Sequence, residues 1–166
     1  EDIDSVSAVH PSDILNRATG VHIQTNNGME SLPSLRSPVL TGPGAAGAFL
    51  FLEDGIATRA AGFANNNGLS ELNLAQAAEI EIIRGPASAA YGSNAVHGVI
   101  NVLTKAPSDE KEVSLLVGPN DRYQLQGTLG SEAGQHGVSG NFQVIDDGGY
   151  RDDSGFNSFK VNGRHD

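Results

Sequence analysis

Four features of the chain carry residue types that could do chemistry. "GPGAAG", residues 42–47, fits the G-x-G-x-x-G spacing of a dinucleotide loop. Such a loop follows a strand and opens a helix, so that backbone amides meet a pyrophosphate, and an acidic residue about 20 positions on holds the ribose. Here the glycines lead straight into the apolar run Ala48–Leu52, and Pro43 has no amide to offer. "GPASAAYGS", residues 85–93, places Ser88 among small residues. It lacks the G-x-S-x-G elbow, a histidine close in sequence and the Gly-Lys-Ser/Thr end of a phosphate loop. The histidines, at 10, 22, 97, 136 and 165, show no i,i+4 pair and no acidic partner at metal spacing. "DDGGYRDDSG", residues 146–155, gathers Asp146, Asp147, Asp152 and Asp153 without EF-hand spacing, so a solvated loop is expected. None of this points to catalysis, a cofactor or a metal. An enzyme is not expected.

The bulk composition narrows the class further. The 166 residues contain 10 Lys+Arg against 20 Asp+Glu, a net charge of −10, which would repel nucleic-acid phosphates. There is no cysteine, hence no disulfide and no thiolate site. The 21 glycines are scattered through apolar segments rather than gathered into a linker. No apolar run reaches the roughly 18–20 residues of a membrane helix, a test that barrel strands of about 9–11 alternating residues escape. The chain opens at Glu1 in the manner of a processed or trimmed product.

Elements follow from periodicity. "HPSDILNRATG" predicts a helix capped by Ser12 or Asp13 and ended by Gly20. "VHIQT" predicts a strand with Val21 and Ile23 inward, and "NNGMES" a turn. Ala48–Leu52 reads as a buried strand stopped by the Asp54-Gly55 turn, and 57–68 as a long exposed loop. Residues 70–79 suggest one or two helical turns capped by Ser70. Ile80 and Ile82 then alternate with Glu79 and Glu81 in a half-buried strand. Gly85 breaks it, Pro86 suits the first position of a short helix through Tyr91, and Gly92 ends that helix. Val99–Leu103 is nearly continuous apolar sequence, so it should be covered on both faces. Beyond Lys105–Lys111 the texture changes to "EVSLLVG", "RYQLQGTLGS", "GVSGNFQVID" and "SFKVNGR". These are strands with Tyr123, Leu125 and Leu129 on one face against Gln124, Gln126 and Thr128 on the other. That alternation is a weak signature of a membrane barrel and equally fits a half-exposed soluble sheet, the reading the strands alone favour.

Residues 79–105, "EIEIIRGPASAAYGSNAVHGVINVLTK", resemble the closing segment of the plug domain of TonB-dependent outer-membrane receptors. The family string "IEVIRGP.S.LYG..A..GVINI.TK" is met at Ile80, Glu81, Ile82, Ile83, Arg84-Gly85-Pro86, Ser88, Tyr91-Gly92, Ala95, Gly98-Val99-Ile100-Asn101 and Thr104-Lys105. Upstream, "DILNRATGVHI" is similar to "D.L...PGV.V" with Thr19 where Pro is usual. "LRSPV" has Ser37 in place of the Gly of "iRG", and "FLFLEDGI" resembles "VLVLIDGV". The match is best over 11–105 and weaker over the later strands. It implies an α+β fold: a small mixed β-sheet plug with short helices over 1–106, then antiparallel strands of an incomplete β-barrel over 107–166.

The resemblance also implies roles. The plug would fill a barrel of about 22 strands in the outer membrane of a Gram-negative bacterium. It would gate uptake of a scarce nutrient such as a ferric siderophore, driven by TonB of the inner-membrane complex. The small residues of 85–98 would let short strands and a turn pack inside a narrow lumen. Arg36 and Arg84 would meet carboxylates of the chain's own barrel. Asp54, Gly55, Gly85, Pro86 and Gly92 would form turns. Pro43, Arg59, Phe63, Asn65, Asn66 and Asn67, on loops 37–47 and 57–68, would contact a small-molecule or metal-chelate ligand. Glu1–Val6 is the place for a TonB box, although no stretch there matches one convincingly. The rival reading is a stand-alone periplasmic or surface module binding a ligand through the same loops. Four strands cannot close a barrel, so their bare edges should pair between copies. Sedimentation at high concentration is expected to show self-association, and a strictly monomeric profile would contradict it.

Overall fold

The computed structural model describes residue 8, residues 10–39, 47–60, residue 62 and 66–166. It resolves into two compact units, Glu1–Thr104 and Lys105–Asp166.

The first unit begins with α1 (Pro11–Leu15), whose cap is His10 rather than Ser12 or Asp13. Pro11 supplies a pre-set φ at the first helical position. The His10 imidazole accepts the Ser12 amide at 3.0 Å, and the Asp13 carboxylate accepts the His10 amide at 3.1 Å. The helix stops before Asn16 because that side chain serves the next strand. Its amide group donates to the Ile23 carbonyl at 3.1 Å and accepts the Ile23 N–H at 2.7 Å. Strand β1 (Val21–Thr25) pairs antiparallel with β2 (Ser31–Leu35), a strand the sequence reading missed because Pro33 lies inside it. Pro33 stands opposite Ile23, whose backbone groups face Asn16, so the missing proline N–H breaks no ladder bond.

A four-stranded mixed sheet, ordered β4-β3-β6-β5, forms the centre. It comprises β3 (Phe49–Glu53), β4 (Ile56–Ala57), β5 (Ala77–Arg84) and β6 (Gly98–Thr104). β3 and β6 run parallel; the other pairs are antiparallel, with Ile82 directly opposite Ile100. Ile100 and Val102 join Phe49, Phe51, Leu15, Ile23, Leu35 and Leu72 in the main core. On the other face Val99 packs with Leu50, Leu52, Ala87 and Ala95. Double-sided burial is what the unbroken apolar run of β6 requires.

Three further local expectations are corrected. Residues 70–79 form no α-helix: short 3-10 turns occupy Asn66–Glu71 and Leu74–Gln76, the second capped by Asn73, and β5 already starts at Ala77. Pairing of the alternating Ile80/Ile82 face with β6 outweighs the weak helical signal. The span 57–68 is not wholly exposed loop either, since β4 opens it and a 3-10 turn closes it. Helix α2 (Ser88–Tyr91) starts two residues after Pro86, which therefore sits in the bend and not at the first helical position.

The second unit is an antiparallel meander, ordered β10-β9-β8-β7. Its strands are β7 (Lys111–Gly118), β8 (Arg122–Ala133), β9 (His136–Asp147) and β10 (Phe156–His165).

Packing is tightest where β6 begins. A Cβ on Gly98 would lie 2.5 Å from Leu35 Cδ1 and 2.7 Å from the Ile83 carbonyl oxygen. Backbone cannot yield as a side-chain tip can. Gly98→Ala is expected to destabilise the first unit by about 1–3 kcal/mol, read from the shift in urea midpoint at unchanged slope.

Candidate functional site

Strands β3 and β6 start at one end of the central sheet, and β5 finishes there, so the loops that join them gather at that end. The loop 85–97 between β5 and β6 is closed by its own backbone. The Gly85 N–H donates to the His97 carbonyl (3.0 Å) and the Ala87 N–H to the Ala95 carbonyl (2.9 Å). Gly85 and Gly92 take φ of 109° and 94°, angles a side chain resists. Folding the loop back on the sheet buries Ala87 and Ala95 against Leu50 and Val99. Larger residues at those two positions would lift the loop away.

Two cations converge beside it. Arg36, in a left-handed conformation (φ 55°), donates its N–H to the Gly20 carbonyl at 3.1 Å. Arg84 donates from Nη1 to the Thr19 carbonyl. A Cβ on Gly20 would touch both side chains, 3.3 Å from Arg36 Nε and 3.6 Å from Arg84 Nη1. Both arginines are exposed, and among the described residues of the unit neither is bonded to a carboxylate.

The opposite end of the sheet is a polar clamp. Asp54 (φ 49°) and Gly55 (φ 78°) make the turn from β3 to β4. The Asp54 carboxylate accepts the Thr104 N–H at 2.9 Å and the Thr104 hydroxyl at 2.6 Å. Asn101, buried in β6, accepts the Gly55 N–H at 3.0 Å and donates to Glu81 at 2.9 Å. Sequence reading assigned turn duty to Asp54 and Gly55 and gave no sign of this network, because its partners lie 20 to 50 residues apart.

Among the expected ligand contacts, Pro43, Phe63 and Asn65 lie outside the described residues. Asn66 opens the 3-10 turn. Asn67 accepts the Ser31 N–H at 3.1 Å, bracing β2. Arg59 is paired with Glu71, whose carboxylate hydrogen bond holds the guanidinium further above its ordinary pKa. Arg59 also lines a small open depression with Thr58, Phe49, Phe51, Gly68 and Asn94. The structure thus brings Arg36 to Arg84, and Arg59 to Asn94, and commits Asn67 to the fold.

The second unit inverts the usual polarity. One face carries Val113, Leu115, Val117, Tyr123, Leu125, Leu129, Val138, Val144, Phe159 and Val161, all exposed, with Leu115 at 67 % and Phe159 at 70 %. Register aligns them: Leu115 opposes Leu125, Leu125 opposes Val144, and Val144 opposes Phe159. The other face carries Gln124, Gln126, Thr128, Asn141 and Gln143, with Asn141 donating to Thr128 at 2.9 Å. Gln124 and Asn141 are buried. A sheet that hides amides and shows valines is arranged for a lipid solvent outside and a polar interior.

The family description "TonB-dependent Receptor Plug Domain" matches residues 1–99. The chain belongs to that family. Its fold is similar to that of the ferric-catecholate import receptor Fiu of E. coli K12 (TM-score 0.64, 18 % identity, 93 % of this chain and 21 % of that one). It is also similar to the pyoverdine receptor FpvA of Pseudomonas aeruginosa PAO1 (0.60, 19 %, 82 % and 19 %). The ferric yersiniabactin uptake receptor FyuA of Yersinia pestis gives 0.57 at 20 % identity, over 82 % and 21 %. The chain thus spans about a fifth of the length of these receptors. The plug with short helices and a mixed sheet, followed by antiparallel barrel strands, is the fold they share.

The two faces of the meander should respond differently to charge. Leu125→Arg is expected to weaken folding into a bilayer by about 2–4 kcal/mol, and Gln126→Arg by far less. Urea titration of the complete receptor in lipid vesicles measures both, and equal costs would contradict the assignment of faces.

Proposed function

We propose that this chain is the gating plug and the opening wall of a TonB-dependent outer-membrane receptor that takes up a scarce nutrient such as a ferric siderophore. One observation carries the reading: a unit matching the plug family is followed in the same chain by a meander with its apolar residues outward. On this reading residues 1–106 are the plug and 107–166 begin the barrel, in the outer membrane of a Gram-negative bacterium. The descriptions of FyuA as a ferric yersiniabactin uptake receptor and of Fiu as a ferric-catecholate import receptor support a ferric chelate as cargo.

The parts then take the following roles. Arg36 and Arg84, held together over Gly20, pair with barrel carboxylates and seat the plug. Loops 37–47 and 57–68 face the ligand, with Pro43, Arg59, Phe63, Asn65 and Asn66 as contacts, while Asn67 braces β2. TonB engages the periplasmic side and rearranges the plug. Self-association through the bare edges of β7 and β10 belongs to the chain alone and ends when further strands cover them.

Growth under iron limitation tests this. The complete receptor, expressed in a host stripped of its own ferric-siderophore receptors, is supplied with a panel of ferric siderophores, haem and cobalamin. Rescue by a ferric siderophore, lost on deletion of TonB, is expected. Binding and uptake of none of them would overturn the reading.

A further inference from the structure

Strand register brings together two histidines that sequence spacing keeps apart. His136 opens β9 just after the Gly134-Gln135 turn, and His165 closes β10. His165 stands opposite Val138, so His136, two residues earlier, is its diagonal neighbour on the same face. The rings are nearly parallel, 18° between planes, with centroids 5.7 Å apart, and both residues are exposed. Neither imidazole has a hydrogen-bond partner among the described residues.

We propose that His136 and His165 form a two-ligand surface site for a divalent transition-metal ion such as Cu²⁺, Ni²⁺ or Zn²⁺. Imidazole nitrogen suits all three, and Cu²⁺ binds a given nitrogen site most tightly. Exposed rings on adjacent strands can turn about their side-chain bonds to aim one nitrogen each at a shared ion. Water completes the coordination, because among the described residues no group of three His, Cys, Asp or Glu side chains is placed to hold an ion. The nearby Asp166 carboxylate already accepts the Arg164 Nε–H at 2.8 Å. An ion held this way ties β9 to β10 where the strands end, at the margin of the apolar face that carries Val138 and Val161. Spacing alone hides the pair, since 29 positions separate its members in the sequence.

Cu²⁺ alone, at one equivalent, is the probe, added to the 166-residue chain folded in detergent micelles. Electron paramagnetic resonance is expected to show two nitrogen ligands. His136→Ala and His165→Ala should each reduce this to one nitrogen and weaken affinity by at least about tenfold, the loss seen when even an outer partner of a metal ligand is removed. His22→Ala, on the exposed face of β1, should leave both readouts unchanged. Far-UV circular dichroism checks that each variant keeps its strands, and His→Asn versions replace any that does not. A one-nitrogen spectrum in the parent chain, or affinity insensitive to both substitutions, overturns the proposal.

Discussion

Strand β6 has to satisfy both of its edges and both of its faces at once. Its backbone pairs with β5 on one side and β3 on the other, in opposite directions. Its side chains alternate between two cores, Ile100 and Val102 into one and Val99 into the other. A strand so enclosed leaves no room for error in its neighbours. That is why Gly98 meets Leu35 without a Cβ and why alanines line the loop folded over the second face. Asn101, polar and buried in the middle of the strand, is tolerated because it bonds to both the β3–β4 turn and β5. Asp54 then fastens the last residue of β6, so the sheet is pinned at the end from which the chain departs.

The second unit obeys the opposite solvent rule. Water would expel Val113, Leu115, Val117, Phe159 and Val161 from a surface; hydrocarbon accepts them. Backbone polar groups are a different matter, because a bilayer leaves none of them unpaired. The outer edges of β7 and β10 therefore require further strands in a membrane. The two units answer different physical demands: one a small water-adapted core, the other a wall between lipid and a polar interior.

Much of this is legible in the sequence. The strand pair around Ile82 and Ile100 showed in its alternation and its bounding glycines, and so did the four later strands. The Asp54-Gly55 turn follows from residue chemistry alone, and both residues take positive φ. What could not be read depends on distant partners. The cap of α1 falls on His10 because an imidazole two residues upstream reaches the Ser12 amide, a use of histidine that ordinary cap preferences do not suggest. Strand β2 was obscured by Pro33, harmless only because Asn16 serves the opposite strand. The weak helical signal at 70–79 yielded to pairing with β6. The proximity of Arg36 to Arg84, like that of His136 to His165, comes from topology and register, which no local spacing encodes.

The central claim is that residues 1–104 obstruct a membrane pore. Conductance across a planar bilayer, recorded for the complete receptor and for the same receptor lacking residues 1–104, tests it most directly. The account predicts a silent intact receptor and large, steady openings after the deletion. Equal conductance with and without that unit would contradict it.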